Sequence, residues 1–132
     1  MKDIVLIGGG GHCKAAIDVI EQEGLFNIIG IIDKPEMLGK RLLEYQVIGN
    51  DSELSVLLKS CKSALITIGQ IKSPHPRIKL FKKLLQLGFK LPTIVSPRAY
   101  ISKHSFIGIG SIVMNDAVIE CNEISAFLES LV

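Results

Sequence analysis

Four consecutive glycines, Gly8 to Gly11, stand directly between an apolar run and a helix-like pattern, and no other feature restricts the fold as strongly. Ile4-Val5-Leu6-Ile7 is short, wholly apolar and rich in branched residues, as expected of a strand buried on both faces of a parallel sheet. After the glycines, Ala15, Ala16, Val19 and Ile20 recur at helical spacing, Asp18, Glu21 and Glu23 fall on the wetter side, and Gly24 supplies a left-handed stop. Ile28 to Ile32 is a second buried strand that ends at Asp33. Together these segments predict a strand–helix–strand unit with a right-handed crossover.

Glycine brings main-chain N–H groups close to a ligand, and the start of a helix favours an anion. Gly10, Gly11 and His12 are therefore candidate phosphate contacts; a tight, ligand-free turn is the competing reading. Asp33 can accept bonds from a ribose hydroxyl or a base, and Gly69 ends a later strand where a ligand can approach the same sheet edge. Which phosphate compound binds stays open. Gly8 and Gly10 fit a dinucleotide fingerprint but Cys13 takes its third place, and no Gly-Lys-Ser or Gly-Lys-Thr follows.

Further along, Pro35 makes continuation of the second strand unfavourable, and Gln46 to Ile48 is a short extended piece. Asn50 and Glu53 have capping-box spacing before a short helix. Ala64 to Ile68 is a strand. Pro76 to Leu87 is a helix with Ile78, Phe81, Leu84 and Leu85 inward and Arg77, Lys79, Lys82 and Lys83 outward, closed by Gly88. Lys90 to Val95 returns as a strand, at an edge because of Pro92. The expected class is a three-layer, Rossmann-like α/β domain with a parallel sheet.

From Ala99 the texture changes. Ile101, Ile107, Val113 and Ile119 recur every six residues, with Ser105, Ser111, Ala117 and Glu123 four places after each. That period fits neither an α-helix nor a long strand; it fits very short strands separated by bends. Ordinary short strands closing an α/β domain are the alternative.

Bulk properties remove several function classes. Fifteen basic against thirteen acidic residues give a net charge of +2, and only 5% of residues are aromatic, which argues against nucleic acid as a partner. No run suits a secretory leader or a bilayer span, so a cytoplasmic location without membrane contact is expected. Cys13, Cys61 and Cys121 are too scattered for a disulfide framework or zinc site, and read as buried thiols. His12, His75 and His104 lack metal-site spacing; His75 reads as a helix-start residue and His104 as a corner. Asp116 and Glu120 read as wet bend residues. No catalytic residue is identified.

Gly10-Gly11-His12 followed by Ala15 to Val19, then Gly30 to Asp33, Ile66 to Gly69, and Ile94 to Pro97 leading into the six-residue repeats, resembles the bacterial sugar O- and N-acyltransferases of the sialic-acid O-acetyltransferase and bacillosamine-pathway acetyltransferase type. The resemblance implies an N-terminal domain binding a nucleotide sugar or sugar substrate, with Gly10, Gly11 and His12 on its phosphate side, Asp33 at the base or ribose, and Gly69 in the same pocket. Lys34 stands where many relatives have a second acidic residue. The resemblance further implies a left-handed parallel β-helix that forms a homotrimer and binds acetyl-CoA between subunits. The expected division is a substrate domain over 1–97, an incomplete β-helix over 98–124 and a non-repeat tail over 125–132. The family's catalytic histidine, followed by an acidic residue, has no match, and His104 lies too early in the series. The chain is thus expected to supply the substrate-binding part and to be inactive alone, with residues 100–132 loosely ordered, packed on the first domain or engaged in self-association. A nucleotide- or dinucleotide-binding module and a non-catalytic interaction remnant are the alternatives.

Overall fold

The computed structural model describes residues 1–68, 75–119, 124–125 and 130–131. Strand β1 (Lys2–Ile7) sits near the middle of the first sheet, and its alternating side chains build two cores. Ile4 and Leu6 point to one face, where helix α1 (Gly11–Glu23) covers them with Cys13, Ala16, Ile17 and Ile20. Val5 and Ile7 point to the other. The period of two of a strand thus places one apolar layer above the sheet and one below.

Strand β2 (Phe26–Ile32) returns parallel to β1, and the αL conformation of Gly24, φ 72°, ends α1 just before it. A hairpin follows, with β3 (Arg41–Leu42) antiparallel to β4 (Tyr45–Gly49). The sheet is therefore mixed, where a parallel one was expected. Leu43, at φ 56°, takes the left-handed position that lets a two-residue turn join antiparallel strands. Asn50 and Glu53 form the expected capping box, in which Ser52 N–H donates to Asn50 Oδ1 at 2.9 Å and Asn50 N–H to Glu53 Oε1 at 3.3 Å. The helical turn that it opens leads into α2 (Leu54–Leu57).

Strand β5 (Ser63–Ile66) pairs with β1, giving the order β3-β4-β2-β1-β5. Helix α3 (His75–Leu87) lays Phe81 and Leu84 on the lower core, and Gly88 closes it at φ 103°. Two orientations differ from expectation. Leu85 is 43% exposed, whereas Arg77 is 5% exposed. Arg77, Phe81 and Leu84 lie four and three residues apart, so one stripe of α3 buries all three.

The expected strand over 90–95 also divides. Lys90 makes a single parallel bridge to Ser63, while β6 (Ile94–Val95) leaves the first sheet and pairs with a later strand. Pro92, which has no N–H to offer a ladder, lies at the parting point. Beyond it come β7 (Tyr100–Ile101), β8 (Phe106–Ile107), β9 (Ile112–Val113), β10 (Val118–Ile119), β11 (Ile124–Ser125) and β12 (Ser130–Leu131). All their pairs are parallel and join residues eighteen apart: Ile94 with Ile112, Tyr100 with Val118, Phe106 with Ile124, and Ile112 with Ser130. The apolar periodicity of the sequence stops near Ile124, but the backbone register continues to Leu131.

Ile101, Ile107, Val113 and Ile119, spaced by six in sequence, meet in one cluster with Val95, Ala99 and Ala117. Part of this region packs on the first domain, one of the three outcomes foreseen for it: Ile112, with its strand neighbour Ile94, joins the upper core beside α1. Val95 N–H donates to Glu23 Oε2 at 3.2 Å, so Glu23, expected to face water, instead reaches β6, the first strand of the eighteen-residue winding formed by β6 to β12. Burial raises the pKa of Glu23, and the bond from Val95 opposes that shift. Among the described residues, no helix is long and apolar enough to cross a membrane.

Candidate functional site

The C-terminal ends of β1 and β2 meet at the glycine turn. Gly8 N–H donates to Ile32 O at 2.8 Å, and Thr67 Oγ1 donates to Gly8 O at 2.6 Å. Gly8 has φ 115°, and an added Cβ would meet Ile68 Cγ2 at 2.5 Å and Ile68 N at 2.9 Å. Only glycine suits that position. Gly9 is constrained differently: its N–H donates to Asp33 Oδ2 at 3.2 Å, and a Cβ there would meet the same oxygen at 2.7 Å. Gly10 is the extended N-cap of α1 and has open space where a Cβ would stand. Gly11 and His12 form the first turn of α1, whose N–H groups intrahelical carbonyls cannot reach.

The structure thus brings Gly10, Gly11, His12 and Asp33 to one sheet edge, while the fifth expected residue, Gly69, lies outside the described residues. Asp33 is fixed from both sides, since Oδ1 also accepts from Lys34 N–H at 2.8 Å. Next to it opens a cleft of about 780 Å³, lined by Gly8, Asp33, Lys34, Asn50, Ile68 and Lys79, among others. Its described lining takes in Gly8 and Asp33 but not Gly10, Gly11 or His12.

Burial chiefly, and the Arg77 guanidinium second, hold the pKa of His12 below its usual 6.5. At neutral pH the ring is uncharged, with one donor and one acceptor nitrogen. Arg77, read in the sequence as a surface residue, belongs to this neighbourhood. The signal that would have found it is its helical register with Phe81 and Leu84. The low pKa also fixes a sign. The unfolded chain binds a proton at His12 more readily, so the stability linked to this group is complete above pH 6.5 and is lost as pH falls through 6.5 towards the folded value. Glu23, with a raised pKa, works in the opposite sense above its ordinary value of 4.5. The wild-type Tm is therefore expected to fall more steeply than that of His12→Gln between neutrality and pH 5.5, as read by thermal melts; parallel curves would contradict the assignment.

Cys13 is buried beneath the turn. Burial raises its thiol to about 11, against a hydrogen bond with Thr67 that lowers it, so it remains a protonated thiol. Cys61 is likewise buried with a raised pKa, and Cys121 lies outside the described residues. His75 opens α3 as expected, and His104 is exposed on a bend. Asp116, at φ 63°, occupies a bend and pairs with Arg98 at 3.2 Å; Glu120 is outside the described residues. Among the described residues, no group of His, Cys, Asp and Glu is arranged to hold a metal ion.

Comparison with known proteins places this geometry. PerB from Caulobacter crescentus, solved in complex with CoA and GDP-perosamine, superposes with a TM-score of 0.87 at 27% identity, over 98% of this chain and 59% of that one. The acetyltransferase domain of PglB from Neisseria gonorrhoeae FA1090, solved with acetyl coenzyme A, gives 0.78 at 27% identity, over 93% and 58%. The present chain therefore spans less than two thirds of either. RSP, a Rex-family repressor, shares the fold alone, with a TM-score of 0.52 at 19% identity over 73% of this chain. No curated protein matches the sequence. Residues 3–84, well over half of the chain, match the family described as the PglD N-terminal domain, and the chain belongs to that family.

Proposed function

We propose that this chain supplies the substrate-binding part of an acetyl-CoA-dependent acyltransferase whose acceptor is a nucleotide-linked aminosugar or sialic-acid-type sugar. The observation that carries the reading is the tie between Gly9 N–H and Asp33, which holds the carboxylate beside both the helix start and the cleft. Gly10 and Gly11 present main-chain donors to the phosphate side of the ligand, and uncharged His12 adds a hydrogen bond. Asp33 accepts from a ribose hydroxyl or the base; Gly69, the fifth residue that the sequence assigns to this ligand, lies outside the described residues. Relatives solved with GDP-perosamine or acetyl coenzyme A support this assignment.

Residues 1–97 are the substrate domain, 98–124 the beginning of a left-handed parallel β-helix, and 125–132 a segment that lacks the apolar repeat although its strand at Ser130–Leu131 keeps the register. The eighteen-residue register supports the helix, because a triangular coil needs three faces of six residues. Tyr100 and Val118, which pair across β7 and β10, and Phe106 on the separate strand β8 are each more than half exposed, apolar surface that a homotrimer would cover. Acetyl-CoA supplies the activated acyl group when bound. Its phosphates need cations, yet Arg98 is already paired with Asp116, which leaves Lys103 on this stretch. We expect no complete site for it among the described residues of one chain.

General-base chemistry at the acceptor needs a positioned side chain. His104, exposed and followed by Ser105, does not provide one. Residues 1–132 alone are accordingly expected to bind a UDP- or GDP-linked 4-aminosugar without consuming acetyl-CoA. Calorimetry and a thiol-release assay on the pure chain check both halves. Absence of binding would overturn the substrate assignment, and steady thiol release would overturn the inactivity.

A further inference from the structure

The wall of the cleft formed by α3 carries charge that the reading above leaves unused. Lys79 and Lys83 lie four residues apart on α3, so they leave the helix on one face. Both line the cleft, together with Lys34 from the segment after β2. Burial of Phe81 and Leu84 sets the rotation of α3, and that rotation turns the two lysines towards the cleft. Among the described residues, none of the three ammonium groups is in an ion pair.

Two carboxylates share the lining, but each has other partners. Asp33 accepts from two backbone N–H groups. Asp51 lies in the first turn of a helical segment, where the unpaired N–H groups offset its charge. Three like charges converging on one concavity repel one another and attract an anion. Between them, Pro35, Ile68, Pro76 and Leu80 give the cleft apolar surface suited to a flat ring.

We infer that Lys34, Lys79 and Lys83 form a phosphate subsite on the α3 side of the cleft, beyond the one at the start of α1, and that the ligand is a nucleotide whose phosphate reaches it. This rests on the nucleotide-sugar reading. The phosphate has two possible sources: the 5′-diphosphate of a nucleotide sugar lying across the cleft, or a phosphate on the ribose itself.

The test is calorimetry on the full chain and on the Lys79→Ala/Lys83→Ala double variant. The probes are uridine and guanosine, their 5′-diphosphates and their 3′-monophosphates, each at low and high salt. In the wild type, one phosphorylated series is expected to bind more tightly than its parent nucleoside, with the advantage shrinking at high salt. The double variant is expected to lose roughly tenfold or more for that series, to keep its affinity for the nucleoside, and to recover when both positions are arginine. The series that responds identifies the source of the phosphate. Undiminished binding by the double variant, or an equal loss for the bare nucleoside, overturns the subsite while leaving the substrate assignment intact. Failure of the wild type to bind any nucleotide or nucleotide sugar overturns both.

Discussion

Gly8→Ala is expected to lower stability by about 3–5 kcal/mol, enough to leave a chain of this size largely unfolded on mild heating. Two costs combine. At φ 115° an L side chain is strained, and the new methyl would stand 2.5 Å from Ile68 Cγ2 and 2.9 Å from Ile68 N, a backbone atom that cannot swing aside. Gly10→Ala provides the contrast, because nothing lies within 4 Å of its Cβ position and its φ is −80°. That variant is expected to lose only about 1 kcal/mol, the cost of alanine at a helix N-cap. Urea denaturation of both proteins measures the difference. Equal midpoints would mean that the turn is not held as described.

The second large effect is expected at Ile112. This side chain is 1% exposed and packs in the upper core with Ile17 and Ile20 of α1, although it belongs to the winding. Ile112→Ala should cost about 2–5 kcal/mol, since the lost contacts are coupled to a cavity between two parts of the molecule. Because that core is shared, the melt should shift as one transition. Ile101→Ala removes a half-buried side chain from the separate cluster of the winding and should cost less. A loss below about 1 kcal/mol for Ile112→Ala, or an early transition confined to the winding, would show that the two parts do not share a core.

How far the sequence discloses this fold depends on how local the governing physics is. Gly24 and Gly88 were readable as helix stops because each takes a positive φ that only a short stretch of chain decides. The capping box at Asn50 and Glu53 was readable for the same reason. The spacing of Ile101, Ile107, Val113 and Ile119 announced their meeting, since a repeat needs only its own period. The hairpin at Arg41 to Gln46 was hidden because Leu43 and Glu44 take its turn without the usual Asn-Gly signal. The transfer of Ile94 and Val95 to the second part was hidden because their partner, β9, lies eighteen residues away.

At the candidate site the sequence marked Gly10, Gly11, His12 and Asp33, all of which the fold brings to one edge. It did not disclose that Asp33 already holds Gly9 N–H, a contact across 24 residues. Arg77 was misread because its charge was given more weight than its helical register with Phe81 and Leu84. Burial of a guanidinium beside His12 depends on tertiary packing that a hydropathy pattern does not contain.

Hydrogen–deuterium exchange of the full chain, with and without a saturating UDP- or GDP-linked 4-aminosugar, tests the central claim most directly. Amides from Gly8 to Cys13 and around Asp33 and Lys34 are expected to be protected by the ligand, with the strands over 100–119 unchanged. Protection confined to the winding, or none at either end of the Gly9–Asp33 tie, would contradict the account.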